Sequence, residues 1–200
     1  MDFGCASYCK YAEQCLGTLS PELLAKKEDL FKDRVAVEMK RHLKRDFKRI
    51  GHSTRMARYA EQIGKEQGGN LAVILTAAYL YNVAYKAFDL STHGEKDETK
   101  QARMIAGDIL TKLGAAEGLI KEVSDIIENC RDDNRTMESL NFKAVHDARV
   151  IADFEERRKE AHLKQKELTR LMKKAFLTST GRRVAESVLS TSQSPPPDPH

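Results

Sequence analysis

The stretch L-A-V-I-L-T-A-A-Y-L-Y-N, residues 71–82, is the most apolar part of the chain. Asn70, directly before it, belongs to the residue types that cap helix N-termini, and Gly68 and Gly69 end the helical pattern that precedes it. A helix built from this stretch carries apolar side chains on nearly every side, so it has to be buried. We therefore predict a buried central helix over residues 71–81, with other helices packed around it.

Composition supports a helical domain of ordinary size. The chain has 200 residues, of which 40% are hydrophobic and 32% are charged, and this is enough to bury one sizeable core. The absence of Trp, the 6% aromatic content and the low Gly and Pro counts argue against a many-stranded β fold. The apolar stretch is too short to span a bilayer, and no export signal opens the chain, so we expect a cytoplasmic protein without a membrane partner.

Amphipathic patterns predict further helices on both sides of the central one. Ser20, Pro21 and Glu22 form a helix-start signal. We expect one helix from there to about Phe31, a second, basic helix to about Arg49 that Gly51 interrupts, and a third from His52. The later helices are expected near residues 102–113, 119–127, 142–160, 168–176 and 184–189, with loops at 83–96 and 131–138.

These patterns divide the chain into three parts. Residues 1–19 form an extension that carries three of the four cysteines, residues 20–190 form one helical domain, and residues 191–200 form a proline-rich tail that we expect to be disordered. Cys5, Cys9 and Cys15 have the spacing C-x3-C-x5-C, which matches neither the common zinc patterns nor the common ferredoxin clusters. We therefore expect reduced thiols there, with a metal or iron–sulfur site completed by Cys130 as the alternative.

Positive charge is concentrated in one segment. The net charge is only +4, yet residues 32–58 hold ten Lys or Arg and three acids. Six of these cations recur in steps of four, which stacks them along one flank of the predicted basic helix 33–49: Lys40, Arg41, Lys44, Arg45, Lys48 and Arg49. This flank is either a solvated helix face or a surface that binds a nucleotide or a nucleic acid.

Three motifs together resemble the HD-domain superfamily of metal-dependent phosphohydrolases. They are F-K-R-I-G-H-S-T-R-M-A-R-Y-A-E-Q-I-G at 47–64, L-T-A-A-Y-L-Y-N-V-A at 75–84 and N-F-K-A-V-H-D-A-R at 141–149. The resemblance runs from about Phe47 to about Glu156 and implies an all-α, single HD-type helical bundle. In that family a first His, a His-Asp pair at the end of an apolar helix and a distant Asp converge on one or two divalent cations. The corresponding residues here are His52, Tyr81 with Asn82, and Asp147.

The chain departs from this family pattern at the His-Asp pair. Tyr81 replaces a ligand with a phenol whose ordinary pKa is about 10, and Asn82 replaces a carboxylate with a weaker, uncharged amide oxygen. Many relatives also carry histidines after the sixth helix, where this chain has Glu128, Asn129 and Cys130. The resemblance therefore implies a metal site that has lost several of its ligands.

These residues lead to one main functional hypothesis. We expect an HD-like protein with an impaired site for a divalent metal (Mn, Mg, Ni, Co or Zn) that binds a phosphorylated small molecule or nucleotide near His52 and Asp147. Arg49 and Arg55 are the candidate phosphate-binding residues, because guanidinium groups pair well with phosphate oxygens. His146, although it precedes Asp147, is expected to point elsewhere. The sequence identifies no catalytic residue.

Two alternatives belong to other functional classes. In the first, the chain is an active metal-dependent phosphohydrolase with a non-standard site, formed by His52, Asn82 and Asp147 and completed in one version by Cys130. In the second, the site has no chemical role, and the basic helix binds nucleic acid or an acidic partner.

Overall fold

The structure is a computed structural model, and it describes residues 21–84, 95–131, 137–161, 172 and 175–191. Within these ranges the chain forms seven helices and no strand, so the predicted all-α class is confirmed. The cysteine-bearing extension, the tail, and most of the helix predicted at 168–176 lie outside the described residues. The helices are α1 (Pro21–Leu43), α2 (Phe47–Gln67), α3 (Leu71–Leu80), α4 (Glu95–Lys112), α5 (Glu117–Asn129), α6 (Leu140–Ala161) and α7 (Ser179–Thr191).

Helix α3 is the predicted central helix. Its side chains from Val73 to Ala78 are all buried, and it packs against α1, α2, α5 and α6. Asn70 caps its N-terminus as expected, because the Asn70 side chain accepts hydrogen bonds from the backbone N–H groups of Ala72 and Val73. None of the helices in the described ranges has the length and apolarity that a membrane span requires.

The N-terminal helices divide at a different place from the predicted one. Helix α1 continues past Phe31 to Leu43, and α2 runs through Gly51 without a break. A single glycine costs an α-helix only about 1 kcal/mol, which tertiary packing readily offsets. The actual break is at residues 44–46, where Lys44 has φ 53° and the Asp46 side chain accepts a hydrogen bond from Arg49 N. The basic segment is therefore a corner between two helices and not one helix.

A buried carboxylate on α6 anchors the residues that lead into α7. Asp147 of α6 is 0% exposed, and its oxygens accept hydrogen bonds from Leu177 N at 2.8 Å, Thr178 N at 2.9 Å and Thr178 Oγ1 at 2.7 Å. These donors lie just before α7 begins. Gly181 allows the close approach, since a Cβ atom there would lie 2.7 Å from Asp147 Cγ.

This packing predicts that Gly181→Ala destabilises the fold by about 1–3 kcal/mol, because the added methyl group meets a carboxylate that its hydrogen bonds hold in place. Gly118→Ala is the matched control: Gly118 also lies near a helix start, but nothing lies within 4 Å of its Cβ position. The control should be neutral or stabilising. Chemical denaturation of both variants measures the difference, and equal unfolding free energies would contradict the close contact.

Candidate functional site

His52 lies at the centre of a polar cluster between α2, α6 and the end of α3. Its side chain is almost fully buried. Nε2 lies 3.0 Å from Asp153 Oδ1 on α6, and Nδ1 lies 2.9 Å from Asn82 Nδ2. The Asn82 amide also donates to Ser53 Oγ at 3.1 Å. The fold thus brings His52 and Asn82 together over 30 residues of sequence, beside an aspartate from far along the chain.

The hydrogen bonds of this cluster define one tautomer of His52. Asn82 donates through Nδ2, so Nδ1 of the ring is the acceptor and carries no proton. Nε2–H then donates to the Asp153 carboxylate. Both ring nitrogens of His52 are therefore hydrogen-bonded. A nitrogen lone pair becomes available to a further ligand only if the contact with Asn82 or the contact with Asp153 breaks.

The carboxylate of Asp153 also receives a charged hydrogen bond. Arg149, one helical turn earlier on α6, donates from Nη1 to Asp153 Oδ2 at 2.8 Å. Burial alone would raise the pKa of Asp153, but the hydrogen bond from His52 and the positive charge of Arg149 outweigh it and hold the pKa below its usual value. Asp153 is therefore an ionised carboxylate with one oxygen on a histidine and the other on a guanidinium group.

Tyr81 lies at the C-terminal end of α3, beside this pair. Burial raises the pKa of its phenol to about 12, although the charges of Arg149 and Arg131 act in the opposite direction. Arg131 stacks over the ring at 4.5 Å and donates to the Tyr81 carbonyl oxygen at 2.7 Å. The phenol is consequently protonated near neutral pH and offers no anionic oxygen to a metal.

A second layer of ion pairs joins α2 to α6 next to His52. Lys48 Nζ lies 2.9 Å from Glu156 Oε1, and Arg55 lies 3.4 Å from Glu155 and 3.8 Å from Glu156. Arg55, one of the two predicted phosphate-binding residues, is thus part of the cluster. The other, Arg49, is partly buried on α2, and its backbone N–H donates to the cap of that helix.

Asp147 does not join His52 and Asn82. Its carboxylate is engaged with the residues before α7, as described above, and with His146 Nδ1 at 3.1 Å. It precedes Asp153 by six residues, about 9 Å along the helix axis, and the two side chains leave α6 on different faces. Among the described residues the acid beside His52 is therefore Asp153, while Asp147 connects two helices.

One solved structure has a similar arrangement of helices. It is the crystal structure of a predicted HD superfamily hydrolase from an uncultured Thermotogales bacterium, with a TM-score of 0.57 and 21% sequence identity, and the match covers 79% of this chain and 84% of that one. The chain has an HD-type fold. No family model matches the sequence, and no curated protein matches it either.

The described side chains around His52 in this HD-type fold offer few ligands to a divalent metal. In the part of the chain that the structure describes, no three His, Cys, Asp or Glu side chains are grouped so that they could hold a metal ion. Asn82 turns its amide N–H groups, and not its oxygen, towards His52 and Ser53. Cys130 is buried near Tyr81 and Arg149. Asp153 already contacts a cation, which is the guanidinium group of Arg149.

Sequence reasoning missed Asp153, Arg149, Glu155 and Glu156. The pairing of His52 with Asp153 spans 101 residues, and no local motif reports a contact over that distance. One signal was present, because Lys48, His52 and Arg55 form a stripe with spacings of four and three on α2. On α6, Asp153 and Glu156 are spaced by three and contact this stripe, so the two helices of this HD-type fold are complementary in charge.

The lowered pKa of Asp153 predicts a pH-dependent effect of Asp153→Asn. A depressed carboxyl pKa stabilises the fold above the unfolded-state value of about 3.9, and this contribution is lost as the pH falls through the folded-state pKa. The variant should therefore melt below the wild type at pH 7, and the gap should close below about pH 3.9. Thermal unfolding across pH measures this, with the exposed Asp108→Asn as control. A gap that stays constant down to pH 2 would contradict the ionised Asp153.

Proposed function

We propose that this chain is an HD-type protein that binds a phosphorylated ligand, such as a nucleotide, and does not use a divalent metal for hydrolysis. The observation that carries the proposal is the contact of the Arg149 guanidinium with Asp153, beside His52. A metal-dependent site needs several anionic or imidazole ligands around one cation. Here Asp153, which is partly buried, already has a cation that belongs to the chain itself.

The charge of Arg149 opposes a second cation at this place. Burial would lower the pKa of Arg149, but Tyr81, Asp153 and Cys130 outweigh it and raise the pKa above its usual value, so the group stays charged. A divalent ion bound to Asp153 would lie close to that charge in a partly desolvated environment, where repulsion is strong. Tyr81 and Asn82 add no negative charge to compensate. These features support loss of metal dependence.

The same cations support binding of an oxyanion. The Nε atom of Arg149 is buried and has no hydrogen-bond acceptor among the described residues. The buried Nε of Arg55 makes no hydrogen bond either, although Glu155 Oε2 lies 3.4 Å away as an ion-pair partner. Unsatisfied buried donors are costly, and a phosphate group supplies strong acceptor oxygens that guanidinium groups bind in pairs. Lys48 adds a third positive charge on the same side of His52. Ion pairs with acids of α6 hold these cations in place: Glu156 pairs with Lys48, Glu155 and Glu156 pair with Arg55, and Asp153 pairs with Arg149.

The first experiment asks whether Arg149 keeps metal out. Tyr81→His with Asn82→Asp restores the two family ligands, but Arg149 still contacts Asp153, so we expect no gain in bound metal. Adding Arg149→Ala releases Asp153 and should bring the metal content close to one per chain. Elemental analysis after dialysis against Mn, Ni or Zn measures the content, and thermal unfolding checks that each variant folds. Stoichiometric metal in the first variant, or in the wild type, would contradict the exclusion of metal.

The second experiment measures binding of phosphorylated compounds to EDTA-treated protein by calorimetry. We expect binding from a panel of nucleoside mono-, di- and triphosphates and sugar phosphates, without turnover when Mn, Mg, Ni or Co is added. Arg149→Lys keeps the positive charge but loses the planar guanidinium group that binds two oxygens at once, and Arg55→Gln loses the charge. Each variant should bind about tenfold or more weakly, which is the effect of losing a hydrogen bond to a charged group.

Arg103→Gln is the matched control for both arginines, because Arg103 makes ion pairs with Asp125 and Glu128, away from His52. It should bind like the wild type. Equal weakening in all three variants would indicate a general charge effect and would contradict a site at His52. Metal-dependent turnover that His52→Ala abolishes would show that the chain is a working phosphohydrolase instead.

A further inference from the structure

The corner between α1 and α2 carries an unusual combination of exposed side chains. We call it the basic corner and define it as Lys40, Lys44, Arg45 and Phe47. Phe47 is 77% exposed, the most exposed of the large apolar side chains in the described part of the chain. Lys40, Lys44 and Arg45 are also exposed, and none of them makes an ion pair with the described residues. The corner therefore combines an aromatic ring in water with three exposed cations that make no ion pair with the described residues.

The backbone of the corner is strained at Lys44. Lys44 has φ 53°, a conformation in which its Cβ approaches the neighbouring carbonyl group, and its N–H donates to Lys40 O at 2.9 Å. This is the position after a helix where Gly is the usual residue. Lysine instead places a cation at the tip of the corner at a cost to stability, and such strain is often found at functional sites.

We propose that the basic corner binds single-stranded nucleic acid, with phosphates on Lys40, Lys44 and Arg45 and a base stacked on Phe47. Surfaces that bind single strands without sequence preference combine a positive track for the backbone with aromatic side chains for the bases. The acid nearest in sequence, Asp46, caps α2 through Arg49 N, so its charge is directed to that helix. The corner takes no part in the ion pairs around His52, and this proposal is independent of the phosphate site proposed above.

The packing of α1 favours a nucleic acid over a membrane surface. A helix that lies in a membrane interface inserts a broad apolar face. The apolar face of α1 here, with Val35, Met39 and Leu43 at 0% exposure, is packed into the core and cannot reach a bilayer. The exposed aliphatic side chains of α1 in the described ranges, Leu30 and Val37, lie about two helical turns apart and do not form a broad apolar face. One isolated ring among cations fits a nucleotide base better than it fits lipid chains.

Fluorescence anisotropy with a labelled 20-nucleotide oligothymidylate tests the proposal on the full 200-residue chain. We expect binding at 50 mM salt that weakens steeply at 200 mM. Phe47→Leu keeps an apolar side chain but removes the ring, and it should weaken binding at least about fivefold. Phe47→Trp should restore or improve it. Because Phe47 is exposed, neither change should affect folding.

Lys44→Gly separates binding from structure, because it removes both the cation and the strain. The melting temperature should rise by about 2–4 °C, since glycine adopts positive φ freely. Binding of the oligonucleotide should nevertheless weaken, by about fivefold at 50 mM salt, through the loss of one phosphate contact. Lys112→Gln removes an exposed cation at the end of α4 and is the control, which should bind nearly like the wild type.

Three results would overturn the proposal. The first is no binding of the oligonucleotide at 50 mM salt. The second is binding that Phe47→Leu and Lys44→Gly leave unchanged, or that Lys112→Gln weakens as much as they do. The third is binding to phosphatidylserine vesicles or to polyglutamate with the same dependence on Phe47 and Lys44, which would assign the corner to a membrane or to an acidic protein.

Discussion

Burial of α3 is the constraint on which the remaining structure depends. This ten-residue helix has no face suited to water, so four other helices have to cover it. Its N-terminus is fixed by the Asn70 cap, and its C-terminal end carries Tyr81 and Asn82 into the space between α2 and α6. The position of the candidate site is therefore a consequence of covering one apolar helix. Both ring nitrogens of His52 meet a partner there, because Asn82 follows α3 and Asp153 lies on α6.

The sequence predicts much of this architecture, since periodicity and capping are local properties. The central helix, its Asn70 cap and the all-α class follow from residues 68–82 alone. The division of the first two helices does not, because Gly51 is the residue that usually marks a break, while Lys44 is a residue that rarely adopts positive φ. Only the packed structure shows that α2 tolerates the glycine.

The candidate site was less predictable, for a physical reason. The resemblance to HD-domain proteins paired His52 with Asn82, and the structure places them 2.9 Å apart. It also indicated Asp147 as the distant acid and did not indicate Asp153, because the N–H groups of residues 177–178 that occupy Asp147 lie 30 residues further along the chain. Contacts made across 30 or 100 residues have no local signature. Charge complementarity between α2 and α6 was the signal that could have indicated Asp153.

The contact between Arg149 and Asp153 has a consequence for how the protein depends on its surroundings. A metal ion has to be acquired from solution, so its occupancy follows the supply of that ion and falls when a chelator competes for it. The guanidinium group is made with the chain, is present once in every copy and has no dissociation constant. In the proposed metal-free site the ion pair between Arg149 and Asp153 is thus fixed at synthesis, and the stability that it supplies does not depend on the supply of a metal ion.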